Sequence, residues 1–153
     1  MILKKYSLMM GMSLCASLSF AANCSTDLKG TDKMSFTDKK GKTVSQIIVP
    51  ASCTTFKINL EHNGEMSVKQ MGHNIVISKA SDVASVVKDG RQHKEHDYVN
   101  PNDSRVIAYS KMIGGGQKTS VEFPVAKIKA GGYQFFCSFP MHSVRMSGDL
   151  IVK

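Results

Sequence analysis

Tryptophan is absent from the 153-residue sequence, which removes the usual fluorescence probe of folding and carries no functional message. Arginine clusters are also missing. Basic residues stand singly or in pairs such as Lys39-Lys40, with no interleaved aromatics, which excludes the electrostatic footprint of a nucleic-acid binder. No apolar run reaches the roughly 20 residues that a membrane-spanning helix needs, so stable membrane insertion is not expected. The nearest approach, from Tyr6 to Phe20, is broken by serines and Gly11. No repeat, linker or low-complexity block marks a second domain.

The run from Tyr6 to Phe20 reads instead as export machinery. Lys4 and Lys5 precede it, and the small residues Ser19 and Ala21 flank Phe20, the pattern of a secretory signal peptide over 1–21. A lipid-attachment site would want a small residue before its cysteine, but Leu14 precedes Cys15 and Asn23 precedes Cys24. Cleavage leaves a single domain over 22–153, expected in the periplasm, and takes the formal charge from +8 to +6 by removing two lysines. That moderate basicity suits an acidic protein partner.

Export leaves three of the four cysteines: Cys24, Cys53 and Cys137. In an oxidising compartment two should pair. Cys24 with Cys53 is the economical choice because it leaves Cys137 free; a free Cys24 in a mobile terminus is the alternative.

Phe56, Ile58 and Leu60 alternate with Lys57 and Asn59, and Val121 and Phe123 alternate with Ser120 and Glu122, the period of half-buried strands. Similar runs occur at Val44 to Val49, Asn74 to Ser78, Arg105 to Ser110, Tyr133 to Cys137 and Asp149 to Lys153. Turn residues separate them, at Asn63-Gly64, Gly114-Gly115-Gly116 and Gly131-Gly132. Seven to eight strands without strand-helix alternation predict an all-β, antiparallel Greek-key β-sandwich. One excursion breaks the rhythm. Val83, Val86 and Val87 have helical spacing between Ala80 and Gly90, with Ser81 placed to cap the start and Gly90 to end it. The excursion continues to Ser104 and includes His93 and His96, an H-x-x-H that reads as part of a solvated loop and receives no role.

The chemistry concentrates in Cys137-Ser-Phe-Pro-Met-His142-Ser-Val-Arg-Met146. Thiolate, imidazole and thioether are donors that suit copper; magnesium and calcium want oxygen, and zinc seldom uses methionine. The fourth donor is His73, in Met71-Gly72-His73-Asn74. Two strands fix the ends of the ligand loop, and Pro140 stiffens it. Gly72 lets the backbone approach closely, placing its carbonyl opposite Met146. Asn74 is placed to brace the loop. Each residue alone has a plainer role, as core filler, surface histidine or buried thiol. Two histidines, one cysteine and a weak axial methionine together are the donor set of electron-transfer blue copper.

These motifs, together with Pro101-Asn-Asp-Ser-Arg-Val-Ile-Ala and Phe135-Phe-Cys-Ser-Phe-Pro, resemble the azurins, a branch of the cupredoxins, over essentially the whole chain after the leader. The resemblance implies one type 1 copper ion with His73, Cys137 and His142 as equatorial ligands. Met146 and the Gly72 carbonyl become weak axial contacts. It also implies a Cys24–Cys53 disulfide and backbone N–H groups of Asn74 and Phe139 directed at the Cys137 sulfur. Departures from the family are Ile75, where some azurins carry tryptophan, and Arg91 and Arg145, at positions usually apolar in the docking patch. His62 matches a family histidine whose protonation responds to copper oxidation state; a buried, satisfied histidine is the plainer reading.

Such a site has no open position for substrate, which argues against an enzyme and for one-electron exchange through His142, the ligand nearest the surface, beneath Phe139 and Met141. Partners would be redox proteins such as c-type cytochromes or a copper- or haem-containing reductase or peroxidase, with an acidic docking surface. The alternative is a periplasmic copper carrier or buffer. The six methionines after the leader are scattered rather than clustered, which disfavours it.

Overall fold

The computed structural model describes residues 23–153. The predicted leader and Cys15 lie outside the described residues. Nine strands form two sheets that face each other across one core, a Greek-key β-sandwich. The first sheet has the order β2 (Ser35–Thr37), β1 (Ser25–Thr31), β4 (Thr55–His62), β7 (Lys118–Pro124). The second runs β3 (Gln46–Val49), β9 (Ser147–Val152), β8 (Tyr133–Phe136), β5 (Val76–Lys79), β6 (Val106–Tyr109).

Alternation explains the layers. Along β4, Phe56, Ile58, Leu60 and His62 point inward, and they meet Val121 and Phe123 of β7 in antiparallel register. Facing them, Tyr133 and Phe135 of β8 and Leu150 of β9 close the core from the second sheet. Each fully buried large apolar side chain contributes roughly 1.5–3 kcal/mol of transfer free energy. Phe136 points the other way, into a smaller cluster with Val76, Val86, Val87 and Val99.

That smaller cluster seats the predicted helix, α2 (Val83–Gly90), preceded by a 3-10 turn at Ala80–Asp82. A shorter helical turn, α1 (Val68–Met71), buries no residue, so its sequence carries no apolar stripe to announce it. One local expectation changes: Ser81 does not cap the helix; its hydroxyl donates to Asp82 Oδ1 at 3.4 Å, and the 3-10 turn supplies the start. The helix ends at Gly90, as expected; the residue is buried, and a Cβ there would strike the Tyr98 carbonyl.

The sandwich is not wholly antiparallel. β1 pairs β4 in parallel and β3 pairs β9 in parallel. The chain crosses to the second sheet as β3 and returns as β4, so β4 runs in the same direction as β1. Parallel neighbours bring their starts together: Cys24 precedes β1, Cys53 precedes β4, and the two form a disulfide.

Candidate metal centre

His73, Cys137 and His142 meet at one end of the sandwich, their donor atoms within 4.8 Å of one another. Each arrives from a differently anchored segment. His73 is held between strands by an isolated antiparallel bridge to Ile113, with N–H to carbonyl distances of 3.0 and 2.9 Å. Cys137 follows β8, and its N–H donates to the Met146 carbonyl at 3.0 Å just before β9 begins. The intervening loop therefore hangs between two adjacent strands. Within it, Met141 takes a left-handed φ of 70° and leads into a 3-10 turn, His142–Val144. The His142 N–H donates to the Phe139 carbonyl at 3.0 Å.

All three side chains leave solvent almost completely: His73 and Cys137 are 0 % exposed and His142 3 %. Burial disfavours the charged forms. It pushes the Cys137 thiol up to about 12, against the pull of the Asn74 and Phe139 N–H groups. It brings both imidazoles down to about 4, even though the Thr31 carbonyl favours the charged form of His73 and the Gly72 carbonyl that of His142. At neutral pH the histidines thus present lone pairs, whereas the thiol must lose its proton to act as a ligand.

The donor set fits a copper ion. His73 Nε2 lies 3.0 Å from the Thr31 carbonyl, which fixes the proton on Nε2 and leaves Nδ1 as a lone pair. Nδ1 is buried without a hydrogen-bond partner among the described residues, an unsatisfied acceptor that a cation would satisfy. The Cys137 sulfur sits 3.7 Å from His142 Nδ1 and 3.7 Å from the Gly72 carbonyl oxygen. Only glycine fits at position 72. A Cβ would stand 2.7 Å from the Val68 carbonyl oxygen and 2.8 Å from the Phe139 ring. Met146 is fully buried and packs in the same core cluster as Cys137.

Asn74 ties the two ligand segments together. Its Oδ1 accepts from the Ser138 N–H at 2.9 Å and its Nδ2 donates to Ser138 Oγ at 2.8 Å. Ser138 in turn donates to the Asp97 carbonyl at 2.8 Å. Sequence reasoning passed over Ser138, Asp97 and Thr31, because an ordinary polar residue signals nothing until a distant segment is placed against it. His62 is buried and stacks on His73, with ring centroids 4.4 Å apart and 29° between planes. It is not a satisfied histidine: neither ring nitrogen has a hydrogen-bond partner among the described residues, and Asp32 Oδ1 is 3.7 Å away.

Over the site, Phe139 tilts against His142 at 4.6 Å between centroids, and Met141 and Val144 are 68 % and 79 % exposed. Arg145 and Arg91 are exposed as well. Beside Met112 and Tyr98 a recess of about 270 Å³ is ringed by Lys69, Lys94 and Lys111.

Comparison with known proteins agrees with this geometry. The family model for copper binding proteins, plastocyanin/azurin family, matches residues 22–153. The azurin of Pseudomonas aeruginosa is 44 % identical over 154 residues, which cover 99 % of this chain and all of that one. The azurin of Bordetella pertussis is 46 % identical over 145 residues, covering 92 % of this chain and 93 % of that one. Among solved structures, an azurin of the methylotroph Methylomonas sp. strain J superposes with a TM-score of 0.78 at 41 % identity, covering 86 % of this chain and 99 % of that one.

Proposed function

Because the chain belongs to the plastocyanin/azurin family of copper-binding proteins, we propose that it is a periplasmic blue copper protein that passes single electrons between redox proteins, and not an enzyme. The observation that carries the reading is the closed donor set. Two imidazoles and one thiol converge in a pocket exposed by no more than 3 %, leaving no wet position for a substrate. His73 Nδ1, Cys137 Sγ and His142 Nδ1 would hold the ion, with the Met146 sulfur and the Gly72 carbonyl as weak axial contacts. Copper bound there supplies one-electron Cu(II)/Cu(I) chemistry.

The chain's own residues do the rest. The Asn74 and Phe139 N–H groups at the Cys137 sulfur stabilise its thiolate. Fixed strand ends and the Asn74–Ser138 bridge hold the donors in one arrangement, which keeps rearrangement small when an electron moves. His142 is the port, since its ring lies directly under Phe139 and beside the exposed Met141. Arg145 and the lysines of the neighbouring recess favour a partner with an acidic rim. The leader over 1–21 supports export to the periplasm.

Visible absorption and EPR of the protein loaded with Cu(II), beside a Cys137→Ser variant, test this. The expected result is an intense thiolate-to-copper band and a small copper hyperfine splitting, both lost in the variant. A pale copper-imidazole spectrum unaffected by Cys137→Ser would overturn it.

A further inference from the structure

We infer that His93, Glu95 and His96 form a second, surface metal site for a divalent late transition ion, Cu(II) in preference to Zn(II), separate from the buried centre. The inference does not depend on the electron-transfer reading.

His93 caps a 3-10 turn formed by Lys94–His96. The His96 N–H donates to the His93 carbonyl at 3.0 Å, which closes the turn and brings the two imidazoles near each other. Both turn toward the same carboxylate oxygen. His93 Nδ1 is 3.8 Å and His96 Nε2 4.0 Å from Glu95 Oε1. The ring centroids stand 6.4 Å apart, so the donors are looser than those of the buried centre. Side-chain exposures of 32 % for His93, 51 % for His96 and 65 % for Glu95 leave them free to close on an ion.

Donor chemistry selects the ion. Two imidazoles and one carboxylate suit copper, zinc and nickel, and the affinity order places Cu(II) first. With no sulfur present, and with water completing the coordination, this would be ordinary, exchangeable Cu(II). Lys94, the cation inside the turn, lines the lysine recess with Lys69 and Lys111.

The backbone is built to hold the turn. Asp97 and Tyr98, directly after His96, both adopt left-handed φ, 60° and 57°. Two consecutive non-glycine residues in that region persist only where surrounding structure imposes them. Here the Asp97 carbonyl accepts from Ser138 Oγ at 2.8 Å and from Asn74 Nδ2 at 3.2 Å, and Asp97 Oδ1 accepts from the Met112 N–H at 2.9 Å. The turn is thus fastened to the two residues that follow His73 and Cys137, which lowers the ordering cost of binding.

The test is Zn(II) titration of the copper-loaded protein, read by calorimetry and by the imidazole resonances of each histidine, followed by competition with Cu(II). One equivalent should bind and shift the His93 and His96 resonances selectively. His93→Ala and His96→Ala should each weaken binding by about tenfold or more, since loss of a supporting group alone costs that much. Cu(II) should displace the zinc and give a second, tetragonal EPR signal. The resonances are read on the unmodified protein, so a variant that folds poorly does not spoil the test. Unshifted His93 and His96 resonances, or binding unchanged in a variant carrying both His93→Ala and His96→Ala, would overturn the inference.

Discussion

Asn74 and Ser138 stand 64 positions apart in the chain and exchange two buried hydrogen bonds, of 2.8 and 2.9 Å. Each sits immediately after a donor residue, so the pair sets the spacing between His73 and Cys137. Truncation in Asn74→Ala leaves the Ser138 N–H buried and unpaired, at a cost of about 1–3 kcal/mol per orphaned group. Guanidinium unfolding of the metal-free variant should show a loss of that size. The copper-loaded variant should also show a shifted reduction potential. A stability change below about 0.5 kcal/mol would mean that water replaces the side chain without loss.

The Cys24–Cys53 disulfide closes a loop with a sequence separation of 29. In the chain-entropy model such a loop contributes about 3–4 kcal/mol. Replacing both cysteines by alanine should lower the denaturation midpoint accordingly while leaving the copper spectrum intact, because the bridge joins the starts of β1 and β4. Loss of the spectrum in a folded double variant would show that the bridge reaches the metal end.

Protons provide a third check. His73 and His142 are both held near 4 in the folded chain by burial, against an ordinary value of 6.5. The unfolded chain therefore takes up protons first on acidification. Stability of the metal-free protein should be flat above about pH 6.5, fall as pH drops toward 4, and level off below that, apart from carboxylate effects. Urea midpoints across this range check the sign. Copper uptake at neutral pH should release about one proton, from the Cys137 thiol held near 12, which a pH indicator in weakly buffered solution would count.

Charge around the port gives a fourth. With Arg145 and Lys111 exposed at this end, electron exchange with an acidic c-type cytochrome should slow as salt rises. The double variant Lys111→Glu with Arg145→Glu should slow it by about tenfold at low salt and speed exchange with a basic cytochrome. Stopped-flow rates independent of ionic strength would count against an acidic partner.

Much of this was legible in the chain itself. The seven runs with alternating or continuous apolar character all became strands, because their buried faces are specified residue by residue, as in Phe56, Ile58 and Leu60. β1 went unseen because Ser25–Thr31 has a single large apolar residue, Leu28; its pairing with β4 is a tertiary fact. The parallel pairings were equally hidden, since alternation reports which face is buried and not which way a neighbour runs. At the centre, donor types and spacing pointed to His73, Cys137 and His142. The Thr31 carbonyl that fixes the His73 tautomer was invisible, because any residue at that position offers the same carbonyl.

The pairing of β3 with β9 has a consequence in time. Ile47 lies beside Leu150, so the second sheet is complete only when the last strand of the chain docks against one of the first. Contacts this distant in sequence make for slow folding. Cys24 and Cys53 can find each other early, as soon as the first third of the chain is available. Cys137, His142 and Met146, by contrast, lie on the short connection between the paired neighbours β8 and β9, so His73, bridged to Ile113, is the one side-chain donor that must be brought in from a distant segment.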